Sequence, residues 1–234
     1  MVRAAYAGFS DYHVGLYRDL GQQLAGGSGR RDVAEKGEVI ARLSQAMDPF
    51  VLDVLDAHLE RRRPGRVLDI GCGSGHHLAH LLRALPGAEG IGVEPDAAAA
   101  ALARSTFEND GLTKRTQVVE GDVREVLGPD LGSFDLVLLA NVVYYFPVAE
   151  RIPLLRSIAD RLTADGSLVV VTNVLTRATF SRHFDLLLRA QEGEMGLPDL
   201  DVLVQQLRAA GLTPGKPRRI APGEPLTAVV ATRA

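Results

Sequence analysis

The chain has one cysteine, Cys72, in 234 residues. That excludes a disulfide framework and a cysteine-based zinc site. No apolar run approaches the ~20 residues of a membrane helix, and the N-terminus lacks a signal-like apolar stretch. A cytoplasmic protein with no membrane partner is expected. Charge of one sign is also missing: 26 basic and 29 acidic residues leave a net −3. Basic residues run together only briefly, as in Arg61-Arg62-Arg63 and Arg218-Arg219. They do not make the basic face that nucleic-acid binding draws on, and the first ends a predicted helix, where cations suit the macrodipole. His76 and His80 stand four apart beside His77, but no H-E-x-x-H pattern or thiol pair accompanies them, so no metal is expected. Aromatics make up only 5% of the chain, which sets off the cluster Tyr6, Phe9, Tyr12 and Tyr17.

Glycine is present, and in a telling place. Val67-Leu68-Asp69-Ile70 is a short apolar run holding one acid; Gly71-Cys72-Gly73-Ser74-Gly75 follows, and His76-His77-Leu78 opens a helical pattern. A strand, a glycine-rich turn and a helix N-terminus together make a site for a nucleotide-like ligand. The dinucleotide pattern G-x-G-x-x-G fails, because His76 stands where the third glycine belongs. An NAD-dependent oxidoreductase would have to bind nicotinamide without it. There is no G-x-x-x-x-G-K-[ST] loop either. Asp69 would repel a pyrophosphate but suits a ligand carrying an ammonium group. Cys72 reads as a small loop residue, not a nucleophile.

Strand and helix patterns then alternate. Ile91-Gly92-Val93-Glu94 leads to Pro95-Asp96; Val118-Val119-Glu120 leads to Gly121-Asp122-Val123. Phe134 to Ala140 ends at Asn141, and Leu168 to Asn173 follows Ala164-Asp165-Gly166. Ala97 to Ala103 is a strong helix former, and Leu154 to Leu162 has helical spacing, with Pro153 in its first turn. The alternation over residues 67–174 predicts an α/β fold with a parallel sheet covered on both faces.

An acid before G-x-G-x-G, followed by acids at the ends of the next two strands, resembles the class I (Rossmann-like) S-adenosylmethionine-dependent methyltransferases of small-molecule type. The resemblance covers roughly residues 65–174. It implies a doubly wound, seven-stranded, mostly parallel sheet with a C-terminal antiparallel hairpin, plus an N-terminal helical lid. It implies S-adenosylmethionine as cofactor and S-adenosylhomocysteine as product. Asp69, Gly71, Cys72, Gly73 and Gly75 would then form the cofactor loop. Glu94, followed by Pro95, would take the ribose hydroxyls. Asp122 would hold the adenine amino group, with the Val123 N–H on the ring, and Asn141 would contact the methionine part.

Two parts are expected: a helical extension or lid over residues 1–64, and the cofactor domain over 65–234. In the first, Gly26-Gly27-Ser28-Gly29 reads as a linker, and a helix is predicted from about Glu38 to Glu60, kinked or divided at Pro49. Its aromatics would cover the cofactor or pack as core. In the second, Leu200 to Gly211 reads as a helix, and Pro217–Ile220 with Leu226–Thr232 as a hairpin turning at Ala221-Pro222-Gly223-Glu224. Between them, Thr176 to Pro198 carries Phe180, His183, Phe184 and Met195, and the resemblance implies that it walls an acceptor pocket.

Tyr6, Tyr12, Tyr17, Tyr145 and Phe180 are the expected acceptor contacts. His183 or His13 is the expected general base, having a near-neutral ordinary pKa, and Tyr144 is expected to orient the acceptor or the methyl group. The expected activity is methyl transfer to a small organic acceptor, first of all O-methylation of a secondary metabolite. N- or C-methylation and a cofactor-binding protein that does not methylate are the alternatives. Asn141-Val142-Val143-Tyr144 lacks the two prolines of the N-P-P-[YF] pattern in amino-directed nucleic-acid methyltransferases, so no nucleic-acid partner is expected. The protein is expected as a monomer or homodimer.

Overall fold

The structure, a computed structural model, describes residues 47–223 and 225–233, with residues 14–15, 17–19, 21–22, 25 and 29–30. Its first continuous element is helix α1, Asp48–Leu59. Pro49 lies in the first turn, where its missing N–H costs no helical bond. Within the predicted span from Glu38 to Glu60, the proline therefore marks a helix start. Residues 38–46 lie outside the described part.

Strands and helices then alternate: β1 (Arg66–Ile70), α2 (His76–Ala84), β2 (Glu89–Glu94), α3 (Ala97–Asn109) and β3 (Thr116–Glu120). A short helical turn, α4 (Val123–Val126), leads to β4 (Phe134–Ala140), α5 (Val148–Arg161) and β5 (Leu162–Asn173). Helices α6 (Thr179–Arg189) and α7 (Leu200–Ala209) precede β6 (Leu212–Pro214), β7 (Arg218–Arg219) and β8 (Leu226–Arg233).

The sheet runs β3-β2-β1-β4-β5-β8-β6, with β7 also on β8. β1 to β5 are parallel, and β8 runs antiparallel to β5. The outer edge of β8 is shared: β6 pairs with Ala231 to Arg233, and β7 with Thr227 and Ala228. Seven places are therefore filled, as expected, but the last is split between two short strands. The cause is Pro214 and Pro217, which cannot donate to the ladder. Between them the Gly215 N–H still reaches the Val230 carbonyl at 2.8 Å.

Two other bounds differ from expectation. β5 starts at Leu162 and takes in Ala164-Asp165-Gly166, at the cost of a register shift against β4 between Phe134 and Leu136. α5 starts at Val148, which puts Pro153 in its second turn instead of its first. The carbonyl that Pro153 leaves without a helical donor belongs to the exposed Ala149, where water can satisfy it.

Alternation along β1 sends Val67 to one face and Leu68 and Ile70 to the other. The first face packs against α1, α2 and α3 through residues such as Val51, Leu55, Leu78, Leu82 and Phe107. The second packs against α5 and α7 through Leu155, Ile158, Leu203 and Leu207. α1 is thus part of the core. A third, smaller cluster of Tyr144, Leu188 and Leu197 gathers Tyr145, Leu175, Phe184 and Met195 around it. Among the described residues, no helix is long and apolar enough to cross a membrane.

The chain moves outward from β1 through β2 to β3, then returns to the other side of β1 as β4. The carboxyl ends of β1 and β4 therefore flank a topological switch point, the place where open α/β sheets bind ligands.

Candidate cofactor and acceptor site

Gly71, Gly73 and Gly75 all take positive φ, at 67°, 53° and 76°. That left-handed geometry turns the backbone from β1 into α2 and is closed to most side chains. The Gly71 and Cys72 N–H groups both donate to the Val93 carbonyl, at 2.8 and 3.1 Å. A Cβ at Gly71 would lie 2.5 Å from Val142 Cγ2, so the glycine lets the ends of β1 and β4 meet. A Cβ at Gly75 would strike Phe107 Cζ at 2.8 Å, so that glycine seats α2 on α3. Cys72 fills the space that Gly92 leaves, where a Cβ would lie 2.7 Å from its sulfur. Burial pushes the Cys72 thiol well up, which makes it a packing residue and a poor nucleophile.

The acids stand around this loop. Asp69 is 1% exposed, and its Oδ2 has no hydrogen-bond partner. Burial raises its pKa to about 7; His77 opposes the rise, while Glu94 and Asp48 add to it. His77 Nε2 lies 2.9 Å from Asp48 Oδ1. Burial works against the charged form of His77, but the Asp48 hydrogen bond and the nearby Asp69 outweigh it and raise its pKa. Glu94 accepts from the Gly73 N–H at 2.8 Å through Oε2 and from the Asp96 N–H at 3.0 Å through Oε1. Burial raises its pKa, against the pull of those two donors.

Asp122 caps α4 by accepting from the Arg124 N–H at 2.8 Å. The Arg124 guanidinium pairs with the same carboxylate, holds its pKa low, and continues to Glu150 at 2.5 Å. Val123, next to it, is buried, and Pro95 is exposed. Asn141 sits at the end of β4 with φ 57°, and its buried Oδ1 has no partner.

Asp69 Oδ2 and Asn141 Oδ1 are thus two buried acceptors without donors, beside a glycine cradle at the end of adjacent strands. A ligand bringing an ammonium group would satisfy such a set, and one bringing a pyrophosphate would not. The residues present fit S-adenosylmethionine.

After Asn141 the chain makes one 3₁₀ turn, Val143–Tyr145. Tyr144 is buried, its ring edge-on to Tyr145 at 4.7 Å and to Phe184 at 5.3 Å. Phe180 lies 6.1 Å from Phe184 and remains partly exposed. His183, also on α6, has Nδ1 2.7 Å from the Tyr17 hydroxyl, with the two rings stacked at 5.5 Å. Burial lowers the His183 pKa. The fold therefore packs Tyr145 and Phe184 on Tyr144, sets Phe180 against Phe184, and pairs Tyr17 with His183. Tyr6, Tyr12 and His13 lie outside the described residues.

The helical histidines are used locally: His77 on Asp48, and His80 on Asp56 at 2.6 Å. Among the described residues no group of side chains could hold a metal ion. Charged residues that sequence reasoning passed over complete the picture. Arg124 occupies Asp122, and Arg151 and Asp185 are buried beside the aromatic cluster. A charge within a helical pattern reads as a solvated face, so no sequence signal marks these three.

Residues 67–166 match a protein family described as a methyltransferase domain. That stretch, from β1 into β5, is thus similar to a methyltransferase domain, and the fold around it is Rossmann-like. It is 36% identical over 101 residues to the release factor glutamine methyltransferase of Caulobacter vibrioides, covering 43% of this chain and 34% of that protein. It is 32% identical over 123 residues to the mitomycin biosynthesis 6-O-methyltransferase of Streptomyces lavendulae, covering 52% of this chain and 34% of that one. The chain thus spans about a third of the length of these relatives. Among solved structures, mitomycin 7-O-methyltransferase MmcR superimposes with a TM-score of 0.76 over 95% of this chain and 68% of its own, at 22% identity. At that identity the likeness is one of fold.

Proposed function

We propose that the protein transfers a methyl group from S-adenosylmethionine to an oxygen of a small secondary metabolite. The observation that carries this reading is the pair of unsatisfied buried acceptors, Asp69 Oδ2 and Asn141 Oδ1, beside a glycine cradle, with the chain running from Asn141 directly into an aromatic cluster. The names of the mitomycin O-methyltransferases support oxygen as the methylated atom. The near-balanced charge of the chain supports an acceptor other than nucleic acid. The protein would act in the cytoplasm as a monomer or homodimer.

When bound, S-adenosylmethionine supplies a methyl carbon already made electrophilic by its sulfonium. Asp69 would hold the ammonium group, Glu94 the ribose hydroxyls, Asp122 and the Val123 N–H the adenine, and Asn141 the methionine part. The protein's remaining work is alignment and exclusion of water. Tyr144 and Tyr145 would orient the acceptor, with Phe180 and Tyr17 against its apolar body. Because α1 is core, the lid role of residues 1–64 would fall to the part before it, joined by Tyr6 and Tyr12. A hydroxyl acceptor must lose a proton. His183 would take it, with His13 the second candidate; uptake at His183 Nδ1 would have to displace the Tyr17 hydroxyl.

Incubation with S-adenosylmethionine and a panel of phenols tests the reading. Methylated product and S-adenosylhomocysteine in equal amounts are expected. Conversion without cofactor consumption would favour a binder that does not methylate. The His183→Ala variant is expected to turn over about 100-fold more slowly with cofactor affinity unchanged, in line with general-base contributions. A wild-type rate would remove His183 from the mechanism.

A further inference from the structure

Arg151 is one of the largest fully buried side chains, at 2% exposure, in the first turns of α5. Among the described residues it makes no ion pair. Its Nε donates to the Phe146 carbonyl at 3.0 Å and its Nη2 to the Gly196 carbonyl at 2.7 Å. Burial lowers its pKa and Arg189 adds to this, while Asp185 works the other way. A buried cation whose bonds go to neutral carbonyls is a costly way to fill space, and an apolar side chain of similar volume would suit the fold as well or better.

What the guanidinium does instead is join two separate segments. One follows β4 and carries Tyr144 to Phe146; the other follows α6 and carries Met195 to Pro198. The two are also stitched directly, by the Gly196 N–H to the Tyr144 carbonyl at 3.0 Å. Asp185 then accepts from the Leu197 N–H at 2.9 Å, and the Pro198 carbonyl accepts from Leu175 at 2.8 Å. Four backbone groups of residues 196–198 are held, two of them by side chains, and of those two side chains Arg151 is the one that bonds to both segments. The segments it joins supply the Tyr144 ring and the Leu197 and Met195 side chains around it.

We propose that Arg151 is a positioning residue for the acceptor wall, fixing the 196–198 segment against Tyr144 by a forked hold on two carbonyls. This rests on the methyltransferase reading for its functional consequence, but not for its geometry. The planar fork matters, because a lysine carries the same charge as a compact point and cannot match both directions.

Two measurements on the full chain test this. In amide hydrogen exchange, Arg151→Met is expected to raise exchange in residues 143–147 and 193–198 while the sheet and α5 keep their protection. Unchanged exchange, or a loss spread through the sheet, would overturn the proposal. In kinetics with catechol as the probe acceptor, Arg151→Met is expected to lower kcat/KM about tenfold, mostly through KM. Its Tm should equal or exceed the wild-type value, and its affinity for S-adenosylhomocysteine should stay within about twofold. Arg151→Lys should recover part of the loss. Equal falls in Tm and in cofactor affinity would make Arg151 an ordinary core residue and overturn the proposal. If wild-type protein leaves catechol untouched, the exchange result alone decides for or against Arg151, while the acceptor screen separately judges the methyltransferase reading.

Discussion

Replacing Asp69 by asparagine is expected to weaken S-adenosylmethionine binding about 100-fold or more, and at the same time to stabilise the cofactor-free protein at pH 8. Removing one partner of a buried, hydrogen-bonded charge pair costs about 2–5 kcal/mol, which sets the loss of affinity. The gain in stability comes from the other side of the same fact. In the folded chain the Asp69 pKa is raised to about 7, above the ordinary carboxylate value. The contribution of the neutral acid is therefore complete below the unfolded pKa, near 4, and is lost as the pH rises through about 7. Asparagine stays neutral throughout. The Tm of the variant should exceed that of the wild type at pH 8, and the gap should close towards pH 5. Cofactor affinity of the wild type should fall on acidification below pH 7, by up to about tenfold per unit, while that of the variant stays flat. Near-native affinity in the variant would count against Asp69 as the ammonium partner.

Gly71→Ala is expected to cost about 2–4 kcal/mol of stability, or a Tm lower by about 5–12 °C, and to abolish cofactor binding. Two separate effects add. The new Cβ would lie 2.5 Å from Val142 Cγ2, and φ at this position is 67°. Backbone strain from a left-handed alanine accounts for about 1–2 kcal/mol, and the clash for the rest. Adding Val142→Ala removes the clash but not the strain, so the double variant should recover part of the lost Tm. Its cofactor binding should recover less, because a methyl group would still stand in the cradle. Thermal melts and S-adenosylhomocysteine titrations of the three variants separate the terms. Wild-type stability in Gly71→Ala would mean that the ends of β1 and β4 do not approach as described.

The cofactor half of the site was legible because its chemistry depends on local pattern. Left-handed angles at positions 71, 73 and 75 demand glycine, and an acid within an apolar strand has few other uses, so Asp69 and its loop stand out in one dimension. Strand alternation likewise gave away the parallel sheet and the order of Glu94, Asp122 and Asn141. The edge of the sheet was less legible: two prolines split one strand into β6 and β7, and only β8, as their partner, reveals that they share a place. Helix α1 could be read equally as lid or core, since amphipathic spacing does not say which surface it meets. The acceptor side was hardest. Arg151 and Gly196, which hold its wall, are 45 residues apart. Such contacts follow from tertiary packing, and a buried arginine carries the same local signature as a solvated one.

The central claim is that the glycine loop and its acids hold S-adenosylmethionine. Calorimetric titration of the purified chain with S-adenosylmethionine and S-adenosylhomocysteine, with NAD as control, tests it most directly. Selective binding of the first two in the micromolar range is the expected result. A folded chain that binds neither, or that binds NAD in their place, would contradict it.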